Sequence, residues 1–124
     1  MLQTNLVKLV KKEISVDAVY LPADSFIVSN AKLIGQELRV AKLKSIAAIK
    51  EYVEQGALIG TVVDYSNLGK MAAMILHDHQ NGTKLENISV QMQKKPSVVL
   101  NKTTCDLLDV KIDQKIIDKA IILK

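Results

Sequence analysis

Two short runs, Ala18-Val19-Tyr20-Leu21 and Leu58-Ile59-Gly60-Thr61-Val62-Val63, are apolar at nearly every position. A strand wetted on one face alternates apolar with polar residues, whereas a strand covered on both faces does not. Runs of this length that fail to alternate therefore predict a sheet with helices packed on it. Pro22 closes the first run, as expected of a residue with no N–H for a ladder. Gly60, inside the second, marks close approach by another backbone.

The stretches between have helical spacing. Leu2, Leu6, Leu9 and Val10 fall on one face of a short amphipathic helix. Asp24 or Ser25 caps a second, in which Ile27, Ala31, Ile34, Leu38 and Ala41 form the inward stripe. A short strand is expected over 45–49, then a turn or two of helix over 51–55 ended by Gly56. Ser66 is placed to cap a helix with Leu68, Met71, Ala72, Ile75 and Leu76 inward, ended by Asn81-Gly82. Residues 89–92 alternate weakly and 97–100 form a compact apolar run; the two are expected to pair, with Lys94, Lys95 and Pro96 between them. Asp113 is expected to cap a last helix that buries Ile116, Ile117, Ala120 and Ile121.

Helices and strands in alternation imply an α/β fold: a parallel, Rossmann-like sheet flanked by helices. No repeat, low-complexity tract or linker interrupts it, so residues 1–124 read as a single α/β unit.

Composition excludes several functions. The net charge of +4 rests almost entirely on scattered lysines, with Arg39 as the one arginine and no tryptophan. Nucleic-acid binders concentrate arginine and aromatic residues on one face, so no nucleic-acid partner is expected. The single cysteine, Cys105, rules out an intrachain disulfide. No run approaches the roughly 18 apolar residues of a membrane span. The first twelve residues lack the pattern of a secretory signal.

Chemistry-bearing motifs are equally sparse. Neither glycine-rich nucleotide loop is present, and no G-x-S-x-G elbow. His77 and His79 lie two residues apart, about 200° around a helix, so they diverge and no metal site is expected. Three sequons, at Asn81, Asn87 and Asn101, are too short a signal to carry weight. The chain is not expected to be an enzyme, with no catalytic residue and no cofactor. Attention falls instead on the strand ends, because ligands of parallel sheets sit beyond the carboxyl ends of the strands. Asp24 follows the first strand, residues 47–50 follow the second, and Asp64 and Tyr65 follow the third. Each aspartate alone is as readily a helix cap or turn residue. Together on one rim, the two carboxylates could hold the donors of a polar solute.

Read in order, these segments resemble the ABC-transporter substrate-binding proteins that include tryptophan- and tyrosine-binding members. Asp17-Ala18-Val19-Tyr20-Leu21-Pro22-Ala23-Asp24-Ser25 is similar to the family's D-A-I-Y-V-P-T-D-N. Gly56-Ala57-Leu58-Ile59-Gly60-Thr61-Val62-Val63-Asp64-Tyr65 looks like its G-A-L-A-[ST]-[VL]-G-x-D-Y, with Leu68-Gly69 and the helix from Met71 following. Val99-Leu100-Asn101-Lys102-Thr103 resembles V-I-N-x-x-T, and 113–120 the terminal segment. The resemblance implies part of a type I periplasmic-binding-protein fold. Its C-terminal lobe would occupy about 1–65, and the hinge-crossing helix and terminal segments 66–124. It further implies a cleft between lobes for a small, amino acid-like solute, a membrane permease as partner, and a place outside the cytoplasm.

By that resemblance the solute-facing positions are Ala23, Asp24, Ser25, Ala48, Ile49, Asp64 and Tyr65. Ala23 stands where the family has Thr and Ser25 where it has Asn. Ala48, Ile49 and Lys50 replace a polar turn, and Lys44 replaces a proline. Lost partners leave polar groups of a solute unpaired, at about 1–3 kcal/mol each, so weak solute binding is expected. Family members are much longer, which makes the chain read as a truncated receptor. The alternative is a non-enzymatic interaction module, a homodimer built on the exposed edge and face of an incomplete sheet.

Overall fold

The computed structural model describes residues 2–93 and 96–124, with side chains from Thr4 onward; the inward placement of Leu2 and the loop role of Lys94 and Lys95 fall outside what is described. The chain divides into two units, residues 1–62 with 97–124, and residues 63–96.

In the first unit, α1 (Leu2–Val10) leads to β1 (Ala18–Leu21), then α2 (Ser25–Ser29) and α3 (Ala31–Val40), β2 (Lys44–Ala47), α4 (Lys50–Glu54) and β3 (Ile59–Val62). After the excursion through 63–96 come β4 (Ser97–Asn101), α6 (Lys102–Leu107), α7 (Gln114–Ile117) and β5 (Ala120–Leu123). The strands lie in the order β1-β2-β3-β4-β5. β1, β2 and β3 are parallel, as are β4 and β5; β3 and β4 run antiparallel, with Val62 opposite Ser97. The fold is α/β with a mostly parallel five-stranded sheet flanked by helices.

One face of the sheet is closed by α1, α3 and α4. Leu21, Ala47, Val62 and Val99 meet Leu6, Ala31, Ile34, Leu38, Tyr52 and Val53 there. The expected stripe of the second helix holds, although the helix is split at Asn30, whose side chain donates to the Phe26 carbonyl. On the other face Leu58, Leu100 and Cys105 pack with Leu108, Val110 and Ile112. That cover stops short: Tyr20, Ile46 and Ile122, in register with Ile59 and Leu100, stay 64%, 48% and 41% exposed.

A buried polar network ties the returning segment to the first half. The Asn101 amide donates to the Val53 carbonyl (2.8 Å), and its oxygen accepts from the Thr104 N–H (2.9 Å). The Thr104 hydroxyl donates to the Gly56 carbonyl (3.0 Å) and accepts from Arg39 Nε (2.8 Å). Burying these groups is tolerable because each is paired. Asn101 is 3% exposed, so its sequon is structural.

Three expectations need correction. Residues 89–92 form no strand; β4 pairs with β3 and β5 instead. The last helix ends at Ile117, and Ala120 and Ile121 belong to β5, because the open edge of β4 offers a β-branched run a ladder. Ile116 and Ile121 are exposed rather than buried. In the second unit α5 (Tyr65–Gln80) is capped by Asp64, not Ser66, and buries no residue; Ala72 and Leu76 are exposed. A 3-10 turn, Leu85–Asn87, follows.

Candidate functional site

Because β1, β2 and β3 are parallel, their carboxyl ends share one edge of the sheet. Beyond β1 come Pro22, Ala23, Asp24 and Ser25; beyond β2 come Ala48 and Ile49. The Ala48 N–H donates to the Leu21 carbonyl (3.0 Å), which ties the two exits together. Asp24 has extended backbone angles and caps α2, its Oδ1 accepting from the Ile27 N–H (2.9 Å). Its Oδ2 accepts no hydrogen bond among the described residues. Ala23, Asp24 and Ser25 are exposed, while Ala48 and Ile49 are half-buried. Five of the seven residues singled out in the sequence thus meet at one edge.

The other two, Asp64 and Tyr65, belong to the second unit. Asp64 Oδ1 accepts from the Asn67 N–H (3.0 Å), and the Asp64 N–H donates to Gln93 Oε1 (3.1 Å). Tyr65 is 69% exposed. Both aspartates are therefore helix caps, and both remain exposed carboxylates. Capping occupies one oxygen and leaves a second.

Two residues at the edge escape a reading of the sequence. Phe26, directly after Ser25 and two residues past Asp24, is an aromatic residue 64% exposed. Tyr52, on α4, is 1% exposed and sends its hydroxyl to the Pro22 carbonyl (2.9 Å) and the Asp24 carbonyl (3.2 Å). Burial pushes the phenol above its ordinary value, so it remains a donor at neutral pH. The available signal was a tyrosine just inside the helix that follows β2, but its target was invisible.

Elsewhere, no group of three His, Cys, Asp or Glu among the described residues could hold a metal. His77 and His79 lie exposed near the end of α5. Cys105 is buried and donates to the Val110 carbonyl. Where β4 ends, at the opposite edge of the sheet, an open apolar cavity of about 310 Å³ is lined by Leu100, Cys105, Val110 and Ile112; it touches none of the rim residues. No helix among the described residues is long and apolar enough to cross a membrane.

Comparison with known proteins converges on one group. A tyrosine-binding protein of Clostridioides difficile (strain R20291) is 28% identical over 94 residues, covering 76% of this chain and 27% of that protein. A ligand-free, open substrate-binding protein with adhesive properties from Clostridium difficile shares the fold with a TM-score of 0.80 at 21% identity, over 99% of this chain and 40% of that one. A domain crystallised with L-Trp from Streptococcus pneumoniae gives a TM-score of 0.74 at 21% identity, over 94% of this chain and 40% of that one. The chain thus spans well under half the length of these relatives. A family model described as ABC transporter substrate binding protein matches residues 3–123. With nearly its whole length matched, the chain belongs to the ABC transporter substrate-binding protein family.

Proposed function

We propose that the edge formed by residues 22–25 and 48–49 is one wall of a cleft for an amino acid-like solute. The chain would then be the solute-binding part of an ABC importer, working outside the cytoplasm and delivering its solute to a membrane permease. The observation that carries this reading is the cross-tied exit of β1 and β2. It brings the exposed Asp24 carboxylate and the half-buried Ile49 to the one edge where parallel sheets take ligands. The chemistry matches an amino acid: a carboxylate for the ammonium group, and Phe26 and Ile49 for an apolar or aromatic side chain. The tyrosine-binding relative and the L-Trp complex support that class. No covalent step is involved, so the proposed role is binding rather than catalysis.

Because Ala23 and Ser25 stand where the family has longer hydrogen-bonding side chains, and the opposing wall belongs to a second lobe, binding by this chain alone is expected to be weak. An NMR titration tests this. Millimolar L-tryptophan or L-tyrosine should shift the amides of Asp24 and Ile49. Asp24→Asn should weaken binding about three- to tenfold, the scale of one solvent-exposed hydrogen bond. Shifts that avoid these amides, or an unaffected Asp24→Asn, would overturn the reading.

A second reading, self-association, is supported by the uncovered sheet face at Tyr20, Ile46 and Ile122 and by α5, where Met74 is 67% and Leu76 56% exposed. It predicts a homodimer. Sedimentation at high concentration that returns only monomer would remove it.

A further inference from the structure

We infer that Tyr52 is a positioning residue for the solute-facing rim: its buried hydroxyl holds the two carbonyls that flank Ala23, and so sets where the Asp24 carboxylate stands. This inference rests on the proposed solute wall.

The geometry is specific. The segment leaving β1 must turn between Leu21 and α2, and its carbonyls cannot all find partners within the turn. Donors on the β2–α4 side reach three of them, two by sharing one proton. The Ala48 N–H takes Leu21, and the Tyr52 hydroxyl lies within reach of both Pro22 and Asp24. Pro22 has no N–H, so the Leu21–Pro22 peptide can be anchored only at the Leu21 carbonyl. The Asp24 carbonyl also receives the first helical bond, from the Val28 N–H at 2.9 Å, while Oδ1 receives the Ile27 N–H. Asp24 is thus held at its carbonyl by Tyr52 and α2 and at one carboxylate oxygen by the cap. Among the described residues nothing engages Oδ2, the atom available to a solute.

The anchor is itself immobile. The Tyr52 ring is packed in the main core beside Val53, Leu21 and Ala47, with almost no exposed surface. A hydroxyl carried on a fixed ring is a stiff reference point. One on a flexible surface chain would lose its constraint to rotamer freedom. The rim formed by β1 is therefore indexed to the helix that follows β2, and the two strand exits move as one piece. A site held by packed side chains keeps its ligand atoms within the tolerance that binding needs.

The test uses Tyr52→Phe, which keeps the ring and removes only the donor, beside Val53→Ala, which loosens the same core without touching the turn. In the full chain, L-tryptophan affinity by NMR titration should fall about three- to tenfold in Tyr52→Phe, one hydrogen bond's worth, and stay nearly unchanged in Val53→Ala. Amide exchange is read in the absence of solute. The Ile27 amide should exchange faster in Tyr52→Phe, while the Ile34 and Leu38 amides of α3 keep their protection. Equal loss of affinity in both variants would reduce Tyr52 to a core residue, and unchanged exchange at Ile27 would also overturn the inference. If the unaltered chain binds no amino acid, the solute reading fails by itself, and the exchange measurement still decides the role of Tyr52.

Discussion

The glycines divide the molecule. A methyl group added at Gly35 would run into the Gln55 carbonyl, where α3 crosses the end of α4; one at Gly60 would meet the Ala47 carbonyl oxygen at 2.8 Å. Gly56, with φ of +118°, carries the Arg39 guanidinium against it. In residues 63–96 the picture reverses: methyl groups at Gly69 and Gly82 would touch nothing within 4 Å. None of the described side chains of 63–96 is buried, whereas the sheet unit buries Leu38, Tyr52, Val53 and Val99 almost completely. The sheet unit is closed by its own packing. The excursion holds its shape through local hydrogen bonds, two of them from Asp64, and its amphipathic helix has no core of its own.

The sharpest way to break that comparison is a pair of identical substitutions. Gly35→Ala forces two backbones apart and should cost more than about 3 kcal/mol, at the upper end of overpacking effects. Gly69→Ala, within α5, should be neutral or stabilising by about 0.5–1 kcal/mol through helix propensity. Urea unfolding followed by circular dichroism reads both. A tolerated Gly35→Ala would mean that the close packing of α3 on α4 is not what closes the sheet unit.

Polar groups separate the two regions by a smaller margin. Asn101→Ala removes the donor to Val53 and the acceptor for Thr104, leaving buried backbone groups unpaired, and should cost about 2–4 kcal/mol. Asp64→Ala removes one cap from an exposed helix and should cost about 1 kcal/mol. Hydrogen exchange sharpens the contrast: after Asn101→Ala, protection should fall across β3 and β4, and after Asp64→Ala only within 63–80. A global loss from Asp64→Ala would show that the excursion unfolds together with the sheet.

The difference between the regions also explains what could be read without coordinates. The stripe Ala31, Ile34 and Leu38 and the run at 58–62 are legible because burial imposes a local pattern on them, whereas the run at 18–21 forms a strand whose outer face, at Ala18 and Tyr20, is exposed rather than covered. The alignment of Asp24 with 48–49 is legible too, since parallel neighbours must end at one edge. The direction of β4 is not legible, because it depends on where the 63–96 excursion returns the chain. β5 hides for a related reason: Ile116, Ile117, Ala120 and Ile121 have helical spacing, and only the vacant edge of β4 turns the last two into strand. The inward stripe assigned to α5 fails because amphipathicity shows which face wants cover, not whether the chain supplies it. The role of Tyr52 escapes for want of the fold: its acceptors are carbonyls 28 and 30 residues away.

The smallest effect is expected at high pH, and it too favours the sheet unit. Burial raises the Tyr52 phenol above its ordinary value of 10.0. The unfolded chain therefore releases this proton at a lower pH than the folded one. Between the two values the folded state binds more protons, so stability falls as pH rises, fully present below pH 10 and lost as the folded phenol ionises. Ionisation also destroys the donor to Pro22 and Asp24, so the loss should include the cap on Ile27. Urea midpoints measured from pH 8 to pH 11 should decline in the unaltered chain and decline less in Tyr52→Phe. If Tyr52→Phe follows the same slope, the alkaline loss arises from lysine deprotonation or another tyrosine, and the phenol beneath the rim is not the group that titrates.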